Sequence, residues 1–198
     1  MREPLPLATI QSAILEFLRG RNDLAVFGAQ AVNAYVDEPR MTQDIDLVSF
    51  RARDLAEELR ELLSGKFHIA VRVREVGEGK GFRIYQVQKS NNRHLADVRL
   101  VSHLPETQTV EGINVLSPAE LIASKVVSYN ARRGRPKAGT DWRDLAVLLL
   151  KFPELKNENS PVMASLQRSG ANEDVLQVWR ELVEQEIKLD IEDEDLEF

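Results

Sequence analysis

Arg40-Met41-Thr42-Gln43-Asp44-Ile45-Asp46-Leu47-Val48 is the stretch on which the reading of this chain turns. From Asp44 on, acidic and apolar residues alternate, the period-two pattern of a half-buried strand. Residues two apart on a strand share a face. Asp44 and Asp46 therefore project together, with Cα atoms roughly 6.6–6.8 Å apart, while Ile45 and Leu47 enter a core. Two carboxylates on one strand face repel each other and disfavour folding. A bound divalent cation reverses that sign. Mg2+ takes one or two protein carboxylates and leaves its other positions to phosphate oxygens and water, so the pair suits a Mg2+-nucleotide. By itself the triplet also fits an ordinary solvated strand face.

The flanking sequence adds to it. Upstream, Leu24 to Phe27 is a short apolar strand that runs into Gly28, and Ala29 to Val36 reads as a short helix. A strand-to-helix turn at glycine offers backbone N–H groups to phosphate, and Arg40 and Thr42 stand close enough in sequence to reach the same phosphates. Asp44 to Phe50 is the second strand. Downstream, a strand over His94 to Val101 sets Ala96, Val98 and Leu100 on one face and Asp97 on the other. A third carboxylate there would complete a two-metal site or act as base on an acceptor hydroxyl.

The rest of the chain divides in character near residue 116. Before it come an amphipathic helix over Leu7 to Leu18 and a helix over Arg53 to Leu63. Strands over His68 to Val76 and Phe82 to Val87 flank the glycine-rich turn Gly77 to Gly81, and a last short strand covers Val110 to Leu116. After it the pattern is helical. Ser117, Pro118 and Glu120 make a helix start, and that helix runs to about Arg132. Its apolar stripe of Leu121, Ile122, Val126 and Tyr129 includes Lys125, and a lysine there needs a partner, a cleft or a route to solvent. Thr140 is read as the cap of the next helix. Asp141 then complements the helix dipole, and Asp144, beside Leu145 and Leu148, is placed to pair with Lys125. A further helix covers Asn172 to Leu189, and the acidic tail Asp190 to Glu197 reads as frayed. The expected organisation is α+β: a strand-rich part over 1–116 and a helical lobe over 117–198.

Composition narrows the class. The 198 residues carry a net charge of -6, which disfavours nucleic-acid binding through overall charge. The basic run Arg132-Arg133-Gly134-Arg135-Pro136-Lys137 suits either an RNA backbone or solvent. There is no cysteine, so disulfides, thiolate metal sites and cysteine nucleophiles are excluded. No apolar run approaches the roughly 18–20 residues of a membrane span, and a cytoplasmic location is expected.

Taken in order, four motifs resemble the AbiEii/MenT group of minimal nucleotidyltransferases, related to the DNA polymerase beta superfamily. They are Phe27-Gly28-Ala29, Arg40-x-Thr42-x-Asp44-Ile45-Asp46-Leu47, Leu116-Ser117-Pro118-Ala119-Glu120-Leu121-Ile122-Ala123-Ser124-Lys125, and Asp141-Trp142-Arg143-Asp144-Leu145. The resemblance covers residues 20–155. It implies a mixed sheet flanked by helices, with a helical C-terminal lobe. It also implies Mg2+ on Asp44 and Asp46 with Asp97 as third acid, and Gly28 and Ala29 under a nucleoside triphosphate. Arg40, Thr42 and Lys125 would contact the nucleotide, and Asp144 or Asp141 would support Lys125. The expected reaction moves a nucleoside monophosphate onto an acceptor hydroxyl of RNA, protein or a small molecule. The group includes toxins of toxin–antitoxin pairs, some of which add nucleotides to tRNA, so an antitoxin partner is a further expectation. Ala29 departs from the Gly-Ser common in nucleotidyltransferases, which removes a phosphate-binding hydroxyl. A protein of the same fold that binds a nucleotide or a partner with weak or no turnover is the alternative.

Overall fold

A computed structural model describes residues 5–89 and 91–188. The chain is α+β, as expected, and divides into two compact units, Met1–Leu121 and Ile122–Phe198. The acidic tail lies outside the described residues.

The first unit is built on helix α1 (Leu7–Leu18), strand β1 (Leu24–Phe27), helix α2 (Gly28–Asn33), strand β2 (Ile45–Ser49) and helix α3 (Ala52–Phe67). Strands β3 (Val71–Val76), β4 (Gly81–Gln86), β5 (Arg93–Leu100), β6 (Thr107–Val110) and β7 (Ile113–Leu116) follow. All seven strands form one mixed sheet in the order β3-β4-β5-β2-β1-β7-β6. β1 runs antiparallel to β2, and β2 runs parallel to β5. Ile45, Leu47, Phe82, Ile84, Ala96 and Val98 are buried on one side of the sheet, and α3 buries Leu55, Leu59 and Leu63 against β2 to β5. Apart from Ala96, each of these side chains contributes about 1.5–3 kcal/mol by leaving water. The opposite side of the sheet keeps its polar residues for the site.

Several boundaries differ from the sequence reading. β2 begins at Ile45, so Asp44 lies just ahead of it. α2 starts on Gly28 itself and ends at Asn33. α3 runs four residues past Leu63 and stops where His68 turns left-handed at φ 53°, which delays β3 to Val71. The single strand expected over 110–116 is a hairpin of β6 and β7. Glu111 and Gly112 make its turn at φ 50° and 81°, the two-residue geometry that suits the twist of paired strands.

Helix α4 (Pro118–Arg132) carries the unit boundary. The backbone N–H of Glu120 donates to Ser117 Oγ at 3.4 Å, as the cap reading required. The second unit continues with α5 (Lys137–Lys151), a 3-10 turn (Pro153–Leu155), α6 (Pro161–Arg168) and α7 (Glu173–Glu184). α5 starts three residues before Thr140, so Thr140 does not cap it. Pro136 occupies the cap position, and its fixed φ favours helix entry. α6 was not anticipated, although Ser160-Pro161 repeats the start signal of Ser117-Pro118. The Asn172 side chain accepts from the N–H of Val175 and caps α7, which buries Val178, Trp179 and Leu182. No described helix is long and apolar enough to cross a membrane.

Candidate active site

Cross-strand register assembles one polar row on the sheet. Phe27 of β1 stands opposite Asp46 of β2, Asp46 opposite Asp97 of β5, and Asp97 opposite Arg83 of β4. In-register residues share a face, so two carboxylates and a guanidinium line up across neighbouring strands. The Arg99 guanidinium, also on β5, lies over the Phe27 ring at 4.6 Å.

Gly28 is required by this row. Its φ is 69°, and a Cβ there would stand 2.1 Å from Asp46 Oδ2. Glycine thus serves twice, in a backbone conformation that L side chains avoid and in leaving room for the Asp46 carboxylate. The loop ahead of β2 is held in place as well. Asn33 Nδ2 donates to the carbonyl of Arg40 at 2.8 Å and Asn33 Oδ1 accepts from its N–H at 3.0 Å. Gln11 Nε2 donates to the Thr42 carbonyl at 3.1 Å, and Thr42 Oγ1 donates to Gln30 Oε1 at 3.3 Å. Asn33, Gln11 and Gln30 went unnoticed in the sequence because nothing local marks them.

Asp44 comes together with His94 and Asp97, a group that does not include Asp46. Its Oδ2 meets His94 Nδ1 at 2.9 Å, and His94 Nε2 meets Asp97 Oδ1 at 3.0 Å. His94 and Asp97 are three apart, so a regular strand would place them on opposite faces. A β-bulge removes that obstacle. Ile84 pairs with Ala96 while Tyr85 pairs with His94, so Leu95 is an extra residue in β5 and the alternation resets. Strict period two could not have revealed this contact.

The charges respond to these neighbours. Asp44, then Asp97, hold the His94 imidazole up to about 9 against the opposing effect of burial. Burial pushes the Asp97 carboxyl upward, but the hydrogen bonds of His94 and Arg83 outweigh it and hold Asp97 at about 2. Arg83 donates from both Nε (3.0 Å) and a terminal nitrogen (3.2 Å) to the two Asp97 oxygens. Asp97 raises the Arg83 pKa, and the charges of Asp44 and Asp46 add to the effect. A carboxylate held at about 2 is a poor proton acceptor, so Asp97 suits a permanent charge better than a base. Asp44, His94 and Asp97 offer ligand atoms all within 4.8 Å of one another, a spacing that accepts a cation.

In the second unit, Lys125 Nζ donates to Asp144 Oδ2 at 2.6 Å and lies 3.9 Å from Asp141 Oδ1. Arg132 donates to Asp141 Oδ2 at 2.7 Å. Lys125, Asp141 and Asp144 are all buried, Asp144 completely. Asp141 lies beyond the first turn of α5, so it acts here as an ion-pair partner of Arg132 and not through the helix dipole. In the basic connector, Arg133 pairs with Glu181 and lies over the Tyr129 ring, while Arg135 and Lys137 are exposed.

Known proteins resemble this chain in family and in fold. A family described as "Nucleotidyl transferase AbiEii toxin, Type IV TA system" matches over residues 13–195. No curated protein sequence matches the chain. Among solved structures, the fold is similar to the Megavirus polyadenylate synthase with a TM-score of 0.61 at 20% identity. The match covers 78% of this chain and 33% of that one, so the chain spans about a third of that protein's length. It is also similar to JHP933 from Helicobacter pylori, with a TM-score of 0.53 at 11% identity over 89% of this chain and 87% of the other.

Proposed function

Since this chain belongs to the AbiEii family of nucleotidyltransferases, we propose that it moves a nucleoside monophosphate from a nucleoside triphosphate to an acceptor hydroxyl in a divalent-metal-dependent reaction. The observation that carries the reading is the acidic row over Gly28, where Asp46 faces Asp97 across neighbouring strands and Asp44 flanks the same face.

Asp44 and Asp46 are the residues that would hold the metal. The bound cation supplies charge neutralisation at the phosphates, the main requirement of phosphoryl transfer. The protein's own groups do the positioning. Gly28 leaves its backbone bare beside Asp46, and Ala29 adds only a methyl, so phosphate oxygens can approach the peptide groups. Arg40 and Thr42 sit on the loop that Asn33, Gln11 and Gln30 hold. Lys125, oriented by Asp144, is proposed to contact the nucleotide. The acceptor oxygen attacks the α-phosphorus, the new O–P bond forms as the bond to the β-phosphate oxygen breaks, pyrophosphate leaves, and the acceptor proton passes to solvent.

RNA is the acceptor favoured here, because Arg135 and Lys137 leave exposed positive charge on the connector. The family's description as a type IV toxin supports a toxin role held in check by an antitoxin. Incubation with each radiolabelled nucleoside triphosphate, Mg2+ and total RNA tests the proposal. Release of pyrophosphate with label transferred to RNA is expected, and it should fall at least about a hundredfold in Asp46→Asn, in line with the loss of one charge-stabilising group. Pyrophosphate release equal to that of a protein-free control would overturn the reading.

A further inference from the structure

We propose that the face of the β3–β4 hairpin beside the acidic row is the platform on which an acceptor RNA lies, with Arg72 and Arg74 holding backbone phosphates and Tyr85 stacking a base. This surface deepens the transfer to RNA proposed above and rests on it.

Register carries the acidic row outward into the hairpin. Asp97 of β5 stands opposite Arg83 of β4, and Arg83 stands opposite Arg74 of β3. Two residues along each strand, Arg72 stands opposite Tyr85. Residues two apart share a strand face, so Arg72, Arg74, Arg83 and Tyr85 lie on the face that holds Asp46 and Asp97. The opposite face of the hairpin holds Phe82 and Ile84 in the core and carries Glu75, which pairs with Arg53 of α3 at 2.7 Å. Charge is thus sorted by sign. Every charged residue that β3 and β4 place on the acidic-row face is an arginine.

Protection of the sheet edge does not account for the sorting. An edge strand needs charge to resist pairing with another chain, and either sign serves. Here all three charges are positive, in a chain whose formal net charge is -6. Arg83 is committed to Asp97. Arg72 and Arg74 are exposed and have no carboxylate partner among the described residues. Guanidiniums with an aromatic ring at their side are the makeup of a single-strand platform, where cations track the backbone and the ring stacks a base.

Position points to the acceptor. The strand order sets Gly28 and α2 at the β1 end of the acidic row and the hairpin at its other end. Attacking and leaving oxygens are roughly in line in phosphoryl transfer. With the triphosphate at Gly28, pyrophosphate leaves on the β1 side and the acceptor hydroxyl enters from the hairpin side. β3 lies two strand spacings, about 10 Å, from β5, so an RNA end that reaches Asp97 has its following phosphates over the hairpin.

The test measures binding of a short fluorescently labelled single-stranded RNA with a free 3′ hydroxyl to the full chain, by anisotropy, with Mg2+ and no triphosphate, across a salt series. Circular dichroism first confirms the fold of each variant. Each phosphate contact on a single strand adds about 0.7 to the salt slope, so Arg72→Ala/Arg74→Ala should lower the slope by about 1.4 and weaken binding about tenfold. Arg72→Lys/Arg74→Lys should keep the slope, because an ammonium neutralises a phosphate as well. Tyr85→Leu should weaken binding at every salt concentration and leave the slope alone, because stacking releases no counterions. Lys66→Ala, exposed on α3, should change neither. In the label-transfer assay, the KM for RNA should rise in Arg72→Ala/Arg74→Ala while the KM for triphosphate stays constant. Unchanged affinity and slope in that variant, an equal loss in Lys66→Ala, or no RNA binding by wild type would overturn the inference. A rise confined to the KM for triphosphate would also sink it, by assigning the arginines to the leaving group. So would displacement of the RNA by polyglutamate as readily as by unlabelled RNA, which would assign them to an acidic protein. Label transfer to RNA with a KM indifferent to Arg72 and Arg74 removes the platform alone. RNA binding that depends on them, without label transfer from any triphosphate, removes the proposed reaction alone.

Discussion

Single residues fix the acidic face through geometry that admits few substitutes. Gly28→Ala places a methyl 2.1 Å from Asp46 Oδ2 on a backbone at φ 69°. The expected result is a loss of about 1–3 kcal/mol in denaturant unfolding, from the strained backbone together with displacement of the carboxylate. Adding Asp46→Gly removes the contact, and the double variant should regain the steric part. Equal stability of Gly28→Ala and wild type would contradict this account. Lys125 is as constrained. Lys125→Met takes the ammonium away from a wholly buried Asp144, and breaking such a pair costs about 3–5 kcal/mol. Lys125→Met/Asp144→Leu should recover most of that in the same unfolding assay. The sequence placed Lys125 on an apolar stripe and Asp144 within reach of it. It could not foresee that Asp141 is tied to Arg132.

At the scale of elements, the start of β1 is anchored to α3 through charge. Arg21 donates to both oxygens of Asp23 and to Glu58 of α3 at 2.6 Å, and Arg51 joins Asp23 and Glu58 from the entry to α3. The Arg21 hydrogen bond, outweighing burial, holds the Asp23 carboxyl below its ordinary value. A depressed carboxyl pKa contributes stability that is fully present above the unfolded value and lost as pH falls through the folded one. The gap in unfolding free energy between wild type and Asp23→Asn should therefore be constant from neutral pH down to about 5 and shrink steadily below about 4. A gap independent of pH down to 2 would show that the network contributes by shape alone. Elements with strong periodicity, such as α1, α3 and α4, were legible because one face of each is apolar at the helical repeat, and β1 because it is a continuous apolar run ending at a glycine. The β6–β7 hairpin was less legible, because both strands are short, β6 buries none of its residues and only Glu111-Gly112 marks the turn. α6 was missed for a similar reason, since eight residues give few turns in which to register a helical period.

For the whole molecule, a metal–nucleotide site that exists only in the folded chain makes folding and ligand binding interdependent. A ligand that binds only the folded chain at a hundred times its dissociation constant stabilises by about 2.7 kcal/mol. For a domain of this size that is a rise of about 5–10 °C in melting temperature. Mg2+ or Mn2+ with the cognate triphosphate should give such a rise, and Asp44→Asn/Asp46→Asn should abolish it. A melting temperature indifferent to metal and nucleotide would identify the acidic row as ordinary solvated surface. Without metal, that double substitution should not stabilise the protein. Like-charge repulsion between two bare strand acids would give a gain, but His94 and Arg83 already offset the charge.

The order and type of most elements, the ordered motifs from Phe27-Gly28 to Asp144, and the family they resemble follow from the sequence by itself. These properties are local: apolar periodicity, caps and spacing act over a few residues and leave their mark on the one-dimensional chain. The pairing of Asp46 with Asp97, the clamp of Arg83 on Asp97 and the position of His94 between two carboxylates were decided by tertiary structure. Each depends on which strands become neighbours, on their register and on a single extra residue at Leu95. Register is set by the burial of the entire sheet face, a sum over residues far apart in the chain that no short stretch contains.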